Sequence, residues 1–154
     1  MTDEQVAVSM WLNRAHDADN EVKALEAVYK TTQSIAERCT ASYDSAGGSG
    51  GSHNNSQESV IHQLCDDGEK IKIELDELRR IRAEIKDTIH SIRDSKCETV
   101  LNMRYLGYMK MYQIADALGL DRKTVNRRHL KALDLVYMEH KAVFEGVTNK
   151  STAE

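Results

Sequence analysis

Arg122, Lys123, Arg127, Arg128 and Lys131 place five cations within ten residues that hold no carboxylate, and Asn126 sits among them. These types in this density suit the recognition of duplex nucleic acid. Cations neutralise phosphates and release counterions, Arg pairs bidentately with guanine, and Asn does so with adenine. At about 100° per residue, taking Val125 as inward puts His129, Ala132, Leu133 and Val136 on one side of a helix. Lys123, Asn126, Arg127, Leu130 and Lys131 then point outward. The plainer alternative is a solvated basic face on an ordinary helix.

Such a helix must be held at an angle that presents its outer face. The preceding residues have the spacing to do so. Ala115 is small enough for two helices to cross closely, and Gly119 tolerates a left-handed backbone at a corner. Ile114, Leu118, Leu120 and Val125 supply apolar plugs on both sides of that corner. Asp121 is placed to cap the second helix. A short lead helix with Val100, Leu101, Arg104, Tyr105 and Leu106 is expected before it, ending at Gly107. After Val136 the helix is expected to continue through Tyr137 and Phe144 to about residue 146.

The whole chain favours helices. Its 154 residues include no Pro, one Trp and one Phe, and 30% are charged. The formal net charge of −4 is unevenly spread, −7 over residues 1–98 and +3 over residues 99–154. The acidic part is expected to face protein or solvent, and the basic helix to face nucleic acid.

Residues 4–42 read as one helix with two interleaved heptad series. Val8, Ala15, Val22, Tyr29 and Ala36 form one, and Trp11, Ala18, Leu25, Thr32 and Cys39 the other. Residues 45–56 are rich in Gly and Ser and read as a flexible loop. Residues 57–94 form a second helix with Leu64, Ile71, Leu78, Ile85 and Ile92 interleaved with Ile61, Leu75 and Ile89. Gly68 and Arg82 fill the remaining seam positions. Two such helices fold most simply as an antiparallel hairpin. A dimer would use the same stripe. The expected organisation is an all-α chain with a helical hairpin over 1–94, a helix-turn-helix domain over 95–146 and a disordered tail over 147–154.

Other chemistries find little support. Cys39, Cys65 and Cys97 are odd in number and far apart, as free thiols in a reducing cytoplasm would be. His62 and Cys65 lie one helical turn apart, but a closed zinc site needs four ligands and no second pair stands out. Arg79, Arg80 and Arg82 stand among Glu74, Asp76, Glu77, Glu84 and Asp87, which points to helical ion pairs. No nucleophile or acid–base setting is recognisable, so neither enzyme activity nor a cofactor is expected. No apolar run is long enough to span a bilayer, no signal peptide is evident, and no membrane partner is expected.

The stretch from Cys97 to Val136 resembles region 4 of bacterial sigma factors. The resemblance rests on Val100-Leu101, Arg104-Tyr105-Leu106-Gly107, Ile114-Ala115, Leu118-Gly119-Leu120, Thr124-Val125 and Ala132-Leu133. The whole chain is similar to a phage and prophage family of ArpU-type late transcriptional regulators with an N-terminal helical hairpin. Trp11-Leu12, Gly47 to Ser52 and the pattern of Val125, His129, Ala132 and Leu133 carry that likeness. It implies that Arg122, Lys123, Thr124, Asn126, Arg127 and Lys131 contact double-stranded DNA and that host RNA polymerase is a partner. The run Lys110-Met111-Tyr112-Gln113 departs from the acidic and aromatic residues usual before Ile-Ala.

The expectation is thus a cytoplasmic, sequence-specific DNA-binding regulator of phage late or packaging genes, with a possible homodimer through the hairpin. One rival is a small terminase-like packaging subunit, which a ring of eight or more chains would favour. The other is a polymerase-binding adaptor that makes no DNA contact.

Overall fold

The computed structural model describes residues 1–45 and 54–148. The helices are α1 (Asp3–Ser45), α2 (Asn54–Ser91), α3 (Ser95–Leu101), α4 (Met111–Leu118), α5 (Arg122–Glu139) and α6 (Lys141–Thr148). A π-helix, Asn102–Leu106, continues α3. No strand occurs among the described residues, and the fold is all-α. The Gly/Ser stretch expected as a loop lies, over 46–53, outside the described residues, and its flanks are helical. Of the expected tail, 147–148 belong to α6 and 149–154 lie outside the described residues.

The chain divides into two compact units, Ala18–Leu78 and Met1–Asp17 with Arg79–Glu154. The boundary expected at residue 94 falls inside the second of these. Both long helices pass through both units.

In the Ala18–Leu78 unit the two helices run antiparallel. Gln57 Nε2 donates to the Cys39 carbonyl at 3.3 Å, and the Tyr29 ring lies beside Gly68, so later residues of α2 meet earlier residues of α1. Val22, Thr32 and Leu78 are buried. Ile61, expected in the seam, is 55% exposed, and Cys65 and His62 are exposed as well. Gly68 leaves room for the Tyr29 ring: a Cβ there would stand 3.7 Å from Tyr29 Cε2, an ordinary contact. Gly68→Ala should therefore keep its neighbours and remove the helix-interior penalty of glycine, raising stability by about 1 kcal/mol. A urea midpoint that fell in this variant would show that Tyr29 cannot accept the methyl group.

The other unit holds two buried clusters, the larger of which gathers α1, α2 and the later helices. It opens with reciprocal capping at the start of α1, where Thr2 N–H donates to Gln5 Oε1 at 2.9 Å and Gln5 N–H to Thr2 Oγ1 at 3.3 Å. Val8, Leu12 and Ala15 of α1 join Ile85 and Ile89 of α2, Leu101, Tyr105, Leu133 and Phe144 in a single buried cluster. Leu12 is fully buried where the heptad pattern favours Trp11, which is only partly buried against Phe144 at 5.8 Å in an edge-on contact. Polar ties cross the same region. Gln5 Nε2 donates to Asp134 at 2.8 Å, Tyr105 Oη donates to Ser9 Oγ at 2.9 Å, and Tyr108 Oη donates to the Ala15 carbonyl at 3.0 Å.

Three local features differ from the pattern in the sequence. The second long helix stops at Ser91, Arg93 takes a left-handed φ of 53°, and Asp94, expected to end that helix, caps α3. The Asp94 carboxylate accepts from the N–H groups of Lys96 and Cys97, each at 3.2 Å. Near the other end, α5 stops at Glu139 and α6 begins at Lys141. His140, at φ −117° and ψ 30°, makes the break, which turns Phe144 into the core. The Ser91 hydroxyl donates to the Thr88 carbonyl at 2.8 Å and lies 2.7 Å from His140 Nε2, tying the end of α2 to this break. Arg82, expected among helical ion pairs, donates to Tyr108 Oη at 2.9 Å.

Candidate nucleic-acid interface

Two helices and a three-residue corner present the basic stretch. Gly119 ends α4 at φ 63° and ψ 36°, the left-handed geometry expected of it. The Leu120 N–H returns to the Ala115 carbonyl at 2.9 Å and closes the turn. Val100, Ile114, Ala115 and Val125 form a second buried cluster under the corner, with Leu118 and Leu120 packed against it. Asp121 caps α5 through a bond of 2.8 Å from the Thr124 N–H and one of 2.7 Å from its hydroxyl. Both bonds hold the Asp121 carboxyl below its usual range.

Val125, His129, Ala132, Leu133 and Val136 are all buried, so the inward face of α5 is the one read from the helical period. The opposite face carries Lys123, Asn126 and Arg127, all exposed. With Thr124, Leu130, Lys131, Asp121 and Asp134 they line one shallow concavity along α5. Arg122 is exposed at the start of the helix, and its guanidinium lies over the Tyr112 ring of α4, 5.7 Å from the centroid. Arg128 is half-buried.

The six candidate contacts therefore stand in different states. Lys123, Asn126 and Arg127 are exposed on one face. Thr124 is half-buried, with its hydroxyl committed to the cap. Arg122 leans on Tyr112. Lys131 Nζ is ion-paired with Asp94 Oδ2 at 2.9 Å. That pair lowers the Asp94 carboxyl to about 2, with the Cys97 N–H adding to the effect, and it raises Lys131. Spacing along α5 gives no hint of Asp94 or Tyr112, because both belong to other elements. An acidic residue just before an N-terminal helix signal was the available clue for Asp94.

Behind the surface, His129 Nε2 lies 2.9 Å from Tyr105 Oη, so this inward-facing imidazole has a side-chain partner. Burial, with Arg104 nearby, brings His129 down to about 4, and it is neutral at pH 7. Tyr105 is pushed up by the same burial. No group of three or more His, Cys, Asp or Glu side chains able to hold a metal ion occurs among the described residues. Cys39, Cys65 and Cys97 are unpaired thiols. No helix is long and apolar enough to cross a membrane among the described residues.

A family model described as "Protein of unknown function (DUF1492)" matches residues 39–143. No curated protein and no solved structure matches the chain.

Proposed function

Starting from a chain that belongs to the DUF1492 family, we propose that it is a sequence-specific DNA-binding regulator of transcription that reads duplex DNA with α5. One observation carries the reading: Lys123, Asn126 and Arg127 lie exposed on one face of a helix whose opposite face is wholly buried. A helix presented this way fits the major groove, with its N-terminal residues nearest the bases. Arg122, Lys123 and Arg127 supply charge for phosphates or guanine, and Asn126 supplies an amide for adenine. Thr124 helps through the cap, by fixing where α5 begins. Lys131 contributes only where a phosphate competes with Asp94.

The resemblance of residues 97–136 to sigma region 4, and of the chain to ArpU-type phage regulators, supports the wider role. On that basis the protein positions RNA polymerase at a phage late or packaging promoter. A polymerase adaptor without DNA contact would use another face and would survive loss of the charges on α5.

Duplex binding across a salt series is the test, with promoter-proximal and scrambled DNA. Lys123→Ala/Arg127→Ala should weaken binding roughly 10–100-fold near 0.1 M salt and flatten the slope of log affinity against log salt. Wild-type binding that is weak, indifferent to sequence and unchanged in the double variant would end the regulator reading.

A further inference from the structure

The stripe of α1 that the heptad pattern offers for dimerisation is already occupied. Val22 and Thr32 are buried, and Tyr29 packs on Gly68, all within the Ala18–Leu78 unit. A second stripe remains on the outer side of the same helix segment. Ala24, Val28, Thr31 and Ile35 recur at intervals of four, three and four residues, which is heptad spacing. All four are exposed, Val28 at 52% and Ile35 at 42%. The Thr31 hydroxyl already donates to the Ala27 carbonyl at 3.1 Å, so Thr31 can be covered without losing a polar partner. Glu21 continues the spacing at one end and Arg38 at the other, both exposed.

This stripe is complementary to itself when reversed. Turned end for end against an identical helix, Ala24 faces Ile35, Val28 faces Thr31 and Glu21 faces Arg38. The smallest side chain meets the largest, and each end of the contact pairs opposite charges. Ala27 and Ser34 flank the stripe, and small side chains there allow close approach. A parallel pairing would set Glu21 on Glu21 and Arg38 on Arg38.

We propose that a second copy of this chain docks on the Glu21–Arg38 face of α1, antiparallel and two-fold symmetric. The contact is isologous, as closed dimers require. It covers about five helical turns of one helix, which places it among small interfaces, and association is expected at roughly 1–100 µM. The dimer does not depend on the nucleic-acid reading, and it leaves the seam between α1 and α2 intact.

The mass of the full chain in solution should rise with concentration from 17.4 kDa towards twice that value. Val28→Lys/Ile35→Lys should raise the dimer dissociation constant at least about tenfold, since Val28 lies at the centre of the contact and Ile35 is its largest apolar side chain. Its helical circular dichroism should match wild type, because both positions are exposed. Glu21→Arg alone and Arg38→Glu alone should each weaken the dimer roughly tenfold by setting like charges opposite one another twice. Combining the two exchanges should restore it, which only the antiparallel register allows. A chain that stays monomeric to several hundred micromolar overturns the proposal. So does a dimer indifferent to Val28→Lys/Ile35→Lys, or single exchanges that the combined variant fails to rescue.

Discussion

Gly107→Ala should cost roughly 2–3 kcal/mol, more than the same change at Gly119. The ranking reverses what conformation alone suggests. Gly119 has the left-handed φ of 63°, yet a Cβ there would meet nothing within 4 Å. Its replacement costs only the backbone preference, about 1 kcal/mol. Gly107 has an ordinary φ of −92°. A Cβ on it would stand 2.8 Å from the Met103 carbonyl oxygen and 3.4 Å from Met103 Cα. Those are backbone atoms and cannot rotate away. The same carbonyl accepts from the Met109 N–H at 3.0 Å, and the Gly107 N–H closes the π-helix onto the Asn102 carbonyl at 2.9 Å. An added methyl therefore disturbs two bonds that lead the chain from α3 to α4. It also shifts Tyr108, whose φ of 55° already places its hydroxyl on the Ala15 carbonyl. Urea midpoints of the two variants decide the matter. A larger loss in Gly119→Ala would show that the π-helix relaxes easily.

Acid should destabilise the protein in two separable steps, and the first belongs to His129. An unfolded histidine takes up a proton near pH 6.5, whereas the folded one resists until about pH 4. Between those values the unfolded state binds more protons, so stability falls as pH falls. The loss reaches about 3 kcal/mol by pH 4, taking 1.4 kcal/mol per unit. His129→Gln can keep a hydrogen bond to Tyr105 and has no proton to gain, so the difference between wild type and variant isolates this step. Asp94 acts lower. Its folded value near 2 lies under that of an unfolded Asp, so its contribution holds above about pH 4 and is lost as pH falls towards 2. Unfolding free energies of wild type and His129→Gln that run parallel from pH 7 to 4 would show that His129 is protonated inside the fold at little cost.

The inward and outward faces of α5 could be read from one helical period, as could the roles of Ala115, Gly119, Asp121 and Val125. Each depends on residues within a few turns, and local spacing encodes them. The grouping of elements was harder to see. Gln5 with Asp134, Ser9 with Tyr105 and Ala15 with Tyr108 join residues more than ninety positions apart and leave no periodic trace. The heptad count favoured Trp11 over Leu12 because it assumed a two-helix seam. In the structure α1 also meets residues around Phe144, and the buried direction is shared between them. His140 carries no glycine or proline to announce the break after α5. Lys131 looked like its neighbours on α5 because its partner, Asp94, comes from another part of the chain. The expected dimer stripe went to the hairpin for a similar reason: one helix can carry two heptad seams, and only packing shows which is filled.

The core uniting Val8, Leu12 and Ala15 with Ile85, Leu101 and Leu133 also has a consequence for the order of events on the ribosome. Val8 is made 77 positions ahead of Ile85 and 125 ahead of Leu133, a delay of roughly several to some twenty seconds at ordinary rates of synthesis. Through that interval the leading turns of α1 have no permanent neighbours, and their apolar side must wait in contact with water, a chaperone or a passing stretch of α2. The corner that shapes the basic helix closes when Val125 emerges, and Leu133 and Phe144 complete the larger core only after it. A nascent chain arrested shortly before Val125 would hold both long helices while its basic helix still lacked the side chain that seats it on the corner.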